Sequence, residues 1–219
     1  MPTSGRRTIL QALTAAVATL AAGRIADPAM TSAAAAMTES RPVQTLLAFA
    51  DTLIPGQHRF PGDVVVADAV TGPGAVQAGA IDILTSPHLA LEPLLPSIAS
   101  LLDARAVAYA TARLIWLTPF RPPFVGLAFS HRTALVESLF NPGDVDRPVW
   151  QVLSLLMGLA FDTAGQYDTQ QAVTQTHPGL AWLGFPEPDA DGLWRFVDFS
   201  YGRPLAALHP ATSPSGSPA

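Results

Sequence analysis

The chain has 219 residues, enough for one ordinary domain with a real core and hardly for two. With 49% apolar and only 13% charged residues, against roughly a quarter charged in typical globular proteins, it is too apolar for a disordered protein, and an apolar partner surface is expected. A net charge of −5 without lysine or a basic run argues against nucleic-acid binding, and the absence of cysteine excludes disulfides, thiolate metal sites, iron–sulfur clusters and a cysteine nucleophile.

The first element is a leader, "TSGRRTILQALTAAVATLAAG". Arg6 and Arg7 precede an apolar stretch from Ile9 to Ala22, and small residues follow, which is the pattern of a signal peptide. The stretch falls short of the roughly 20 residues a spanning helix needs and is diluted by Gln11, Thr14 and Thr19. The pair Arg6–Arg7, followed by Thr8, Ile9 and Leu10, resembles the twin-arginine export signal. Residues 1–36 are therefore expected to be signal and linker, and the body to be exported, periplasmic or otherwise extracytoplasmic. If the leader is retained, the body stays membrane-associated.

The helical body is expected over residues 37–185. Val43, Leu46, Leu47, Ala50 and Ile54 fall at helical spacing, with Pro55–Gly56 as a stop. The loop "GQHRFPGDVVVADAVTG" reads as irregular despite its three valines. "GPGAVQAGAIDILTSP" predicts a helix with Pro73 near its start, and "PSIASLLDARAVAYATARLIW" a long one that ends at the prolines of "TPFRPPF". "FVGLAFSHRTALVESLFN" predicts another, closed by Asn141-Pro142-Gly143. "DRPVWQVLSLLMGLAFDTAG" is the most apolar, with Asp146 as its N-cap and Pro148 in the first turn. Being apolar on nearly every side, it is expected at the centre of the core or under a partner.

Past Gly165 the periodicity fails. An arm at 186–209 mixes aromatic residues with proline, glycine and acids, and 210–219 has the composition of a disordered tail. No segment alternates for long enough to build a sheet. The expected fold is all-α, a bundle of about five helices with a long irregular C-terminal arm. Aromatic anchors among chain breakers suit an interface, and Trp182, Phe185, Trp194, Phe196 and Tyr201 are the candidates for contact with a partner.

The residues offer no catalytic constellation. His58, His88, His131, His177 and His209 form neither an H-x-x-x-H nor an H-E-x-x-H pair. There is no G-x-S-x-G, and Gly72, Gly74 and Gly79 lack the spacing and the preceding strand of a phosphate-binding loop. His131–Arg132 on a helix could face an anionic group, although surface helices carry such pairs routinely. Were the chain an enzyme, His58, Asp63 and Asp68 in one loop, joined by His131, would be the first residues to test. Were it a small-molecule or lipid binder, the helix from Pro148 would wall the pocket.

In chain order, the leader, "LLAFADTLIPG", "GPGAVQAGAIDIL", "PPFVGLAFSHRTALVESLF", "VWQVLSLLMGLAFDTAGQY" and "HPGLAWLGFP" resemble the gluconate 2-dehydrogenase small-subunit (subunit 3, gamma) family, over about residues 43 to 185. That resemblance implies a helical, non-catalytic accessory subunit with no catalytic, cofactor or metal residues of its own. It implies a large flavoprotein partner of the glucose–methanol–choline type that holds FAD and lacks a signal. The partner would cross the twin-arginine translocation machinery folded, using this chain's Arg6 and Arg7. Two departures stand out: the arm after Phe185 lies outside the matched pattern, and without a C-x-x-C-H motif this chain offers no covalent haem to pass electrons on.

Overall fold

The structure is a computed structural model and describes residues 39–187. Arg6, Arg7, Trp194, Phe196 and Tyr201 lie outside the described residues. The described chain is all-α and without strands: α1 Arg41–Leu53, α2 Ala80–Leu84, α3 Leu95–Ala112, α4 Phe129–Leu139, α5 Arg147–Thr163, α6 Thr169–Thr174 and α7 Pro178–Trp182. A 3-10 turn, Glu92–Leu94, leads into α3.

α1 is the hub. It packs against α2, α3, α4 and α5, and its residues Thr45 to Thr52 are all buried. Proline near the first turn fits a helix start, where the missing N–H has no intrahelical partner. Pro55 disfavours helical backbone at Ile54 and ends the helix. Phe49 meets Trp150 of α5 with ring centroids 5.9 Å apart, and both side chains are fully buried. Burial of one such ring stabilises the fold by about 2–3 kcal/mol.

The central place expected for α5 thus belongs to α1. α5 buries Val149, Trp150, Leu153, Leu156, Met157, Ala160 and Phe161 and packs against α2 and α7, but it leaves Leu155 about half exposed. A helix apolar all round is here covered on one side only. Asp146 does sit at the N-cap position, yet its carboxylate makes no capping bond, because it accepts from Arg105 Nη2 at 2.8 Å instead.

Three helices are shorter than their predicted runs: α4 begins at Phe129 rather than at Phe124, and α2 and α3 are cut as well. The glycine-rich segment before α2 forms turns until Gly79, whose φ of +86° breaks any helix that tries to continue through it. α3 stops at Ala112 rather than running to Trp116. There Ile115 N–H donates to Ala110 O (2.9 Å) and Leu114 N–H to Thr111 O (3.3 Å), with Leu114 at φ +56°. This is the Schellman arrangement, with leucine where glycine is usual. The left-handed conformation costs a leucine about 1 kcal/mol.

Candidate functional site

The loop between α1 and α2 is fixed by charge buried beneath it. Asp51 of α1, almost wholly buried, accepts from Gly56 N–H (3.2 Å) at the loop's start and Ala67 N–H (2.8 Å) at its middle. Burial raises its pKa against the pull of those two amides and of the Arg132 charge. Arg132 of α4 is equally buried. Its Nη1 donates to Val65 O (2.6 Å), its Nη2 to Val125 O (2.7 Å) and Val64 O (3.2 Å), and its Nε to Leu127 O (3.1 Å). A guanidinium spends its planar set of donors here on four backbone carbonyls that would otherwise lack partners. Burial pushes its pKa below the ordinary value, and Asp51 opposes that shift.

Asp63 closes the outer part of the same loop. Burial raises its pKa, but hydrogen bonds from Arg59 and the Val65 amide outweigh that and hold the carboxyl below its ordinary value. Arg59 also donates to Glu39, so two carboxylates clamp one guanidinium. His58 instead faces Asp68, its amide donating to Oδ1 at 2.8 Å and its ring Nδ1 lying 3.7 Å from Oδ2. His131 meets Tyr109 at 3.4 Å. The structure therefore pairs His58 with Asp68, gives Asp63 to Arg59, and sets His131 against α3. It does not join the four in one site. Among the described residues, no group of three or more His, Asp or Glu is placed to hold a metal ion.

His131–Arg132 is corrected in the same way, since Arg132 is a core residue and not a surface anion contact. His177, expected in a loop, caps α7 from a buried position: its Nδ1 accepts from Leu180 N–H (3.3 Å) and its Nε2 donates to Ala78 O (3.0 Å). Those partners assign the neutral Nε2–H tautomer, and burial lowers the pKa, with the bond to Ala78 opposing. Gln166 Nε2 donates to the same carbonyl at 2.7 Å.

What remains at the surface is apolar. Trp182 of α7 is 63% exposed, with one edge against Gly72, where a Cβ would stand 2.8 Å from the ring. Leu183 beside it is also exposed, and Phe185 is half-buried at the end of the helical body. α7 can lie this close to α5 because Gly179 has no side chain: a Cβ there would run into the Phe161 carbonyl. On the outer side of α5, Leu155, Gly158, Leu159, Asp162 and Thr163 line an open groove of about 360 Å³. No helix among the described residues is long and apolar enough to cross a membrane.

The described body thus belongs to the class of small all-α domains with a charge-pinned loop and apolar surface at several places. Residues 40–219 match the model of a family of unknown function, DUF5987, and the chain belongs to that family. The match begins one residue before α1 and runs to residue 219, leaving residues 1–39 outside. No curated protein and no solved structure matches the chain.

Proposed function

We propose that the chain is the non-catalytic accessory subunit of an exported FAD-dependent oxidoreductase of the glucose–methanol–choline type. It escorts the folded large subunit through the twin-arginine machinery and stabilises it afterwards. The observation that carries this reading is the Arg6–Arg7 pair before an apolar run, placed ahead of a helical body. Exposed Trp182 and Leu183 beside the half-buried Phe185 support it, because a helical body that turns large apolar side chains outward suits a chain covered by another subunit. FAD belongs to the large subunit in this scheme.

The test is export of the large flavoprotein subunit, identified by co-purification with this chain. With wild-type chain the flavin should appear in the exported fraction. With Arg6→Lys/Arg7→Lys both subunits should stay in the cytoplasm. Normal export of the large subunit in cells lacking this chain would sink the reading.

The groove on α5 favours a second reading, a carrier of a small apolar molecule. Gly158→Leu would fill it, since a Cβ there meets nothing closer than Asp162 at 3.9 Å. A carrier would lose ligand-dependent thermal stabilisation in that variant, whereas an escort would keep its export function unless the groove is also its contact.

A further inference from the structure

Between Arg113 and Arg121 the chain turns its apolar side chains outward. Past the cap of α3 the backbone has no regular secondary structure over residues 115–118. Ile115 and Leu117 pack inward on the core, while Leu114 and Trp116 point away from it. Phe120 follows at a turn tightened by its amide donating to Thr118 Oγ1 (3.4 Å). Leu114, Trp116 and Phe120 are 95%, 88% and 89% exposed, more than any other large apolar side chain among the described residues.

Leu114 makes the arrangement harder to dismiss as neutral. It occupies a left-handed cap position that glycine fills without strain, and it holds a fully exposed leucine side chain there. Nothing in the described body touches that side chain enough to repay the strained backbone.

The loop's own charged residues, Arg113 and Arg121, are both positive and exposed. Arg113 lies over the Tyr109 ring at 3.8 Å, with the His131 ring on the same tyrosine. Arg41 Nη2 donates to the Arg121 carbonyl at 3.0 Å, which places both arginines at the loop's far end. None of the three forms an ion pair among the described residues, unlike Arg59 and Arg105. Asp103 is the carboxylate nearby, and it is turned inward to accept from Phe124 N–H (3.0 Å) and Thr45 Oγ1 (3.1 Å). On a chain with net charge −5, three unpaired arginines around three exposed apolar side chains form an oriented patch.

We infer that this loop docks the protein on an anionic phospholipid surface, with Leu114, Trp116 and Phe120 in the headgroup–acyl boundary and Arg41, Arg113 and Arg121 on lipid phosphates. Tryptophan and phenylalanine partition to that boundary, and arginine beside them takes the negative charge. A protein partner would also bury the aromatics, but the unmatched positive charge on an acidic body favours a surface of repeated negative charge. This docking stands apart from the accessory-subunit reading and survives its failure.

The experiment is co-sedimentation of the full chain with vesicles of equal parts phosphatidylglycerol and phosphatidylcholine, and with phosphatidylcholine alone. Binding should favour the anionic vesicles and weaken with salt. Leu114→Gly should bind on the order of tenfold more weakly while folding at least as well, since one buried leucine is lost and the cap relaxes. Arg113→Gln/Arg121→Gln should lose on the order of thirtyfold. Because the chain has no cysteine, a polarity-sensitive dye on Thr118→Cys reads this loop alone, with Gln151→Cys on α5 as control. A vesicle-dependent blue shift at 118 and none at 151 is the expected result. Equal affinity of Leu114→Gly and wild type, or equal shifts at both dyes, would overturn the assignment. So would a large co-purifying subunit lost with Trp116→Ala while vesicle binding persists.

Discussion

The loop between α1 and α2 is tied to the body through buried charge, whereas the loop between α3 and α4 turns Trp116 and Phe120 to solvent, while its Phe124 stays buried. In the first, Arg132 and Asp51 sit where a hydrophobic pattern would put leucine, and each is satisfied by backbone amides or carbonyls. In the second, Trp116 and Phe120 sit where a soluble chain would put polar residues. Irregular backbone explains the first inversion. The Val64–Val65 stretch has carbonyls but no strand to pair with, and an arginine fork answers them. The second inversion has no partner inside the described body, which is why it points outward to a surface.

Substitutions should separate the two regions sharply. Arg132→Met keeps the volume but strips four carbonyls of their donor and leaves Asp51 with its two amides but without the nearby positive charge. A loss of about 3–5 kcal/mol is expected, visible as a lowered denaturant midpoint or failure to fold. A change below about 1 kcal/mol would mean the loop is held by its apolar residues and the comparison collapses.

His177→Ala should cost less, about 1–3 kcal/mol, because one buried carbonyl keeps Gln166 as a donor while the α7 cap is lost. Its pH dependence has a definite sign. The folded pKa lies below the ordinary 6.5, so the contribution is complete above that value. It is lost as pH falls through 6.5 toward the folded pKa, because the unfolded chain takes up a proton that the buried ring resists. Urea denaturation at about pH 7 and pH 5 should show a smaller drop in the variant than in wild type, after carboxylate effects common to both cancel.

In the solvent-facing loop the signs change. Leu114→Gly should leave stability unchanged or raise it by about 1 kcal/mol, since glycine relieves the left-handed cap and no buried contact is lost. Trp116→Ala should stay within about 0.5 kcal/mol of wild type in thermal unfolding. Strong destabilisation by either would show that the loop is core in disguise.

Much of the fold was legible from residue spacing. The positions Val43 to Ile54 and the Pro55 stop give α1, and Pro148 after Asp146 places the start of α5. What failed, failed where apolar content stands in for burial. The apolar run of α5 suggested the centre or cover by a partner; the centre is held by α1 despite Asp51, Thr45 and Thr52, because hydrogen bonds make those residues tolerable inside. α3 ends four residues before Trp116 because its cap is a leucine, and leucine carries no stop signal. Arg132 read as surface because it follows a polar histidine. Only the acid embedded in "LAFADTLIP" hinted that charge lies underneath. Of the candidate contact residues, Trp182 is exposed and Phe185 half-buried. The more exposed Trp116 and Phe120 fall at a helix end and in a proline-rich turn, where the sequence carries no signal for exposure.

The contacts of Arg132 also bear on how fast this fold comes apart. Its guanidinium joins segments separated by 67 and 68 residues of chain. Before Val64 and Val65 arrive, only the nearby Val125 and Leu127 carbonyls answer it, so its burial is then only partly compensated. Loop closure across that distance comes late, so the arginine acts as a latch set after the helices have met. Its removal should speed unfolding far more than it slows refolding, and the lifetime of the native state is the quantity it governs.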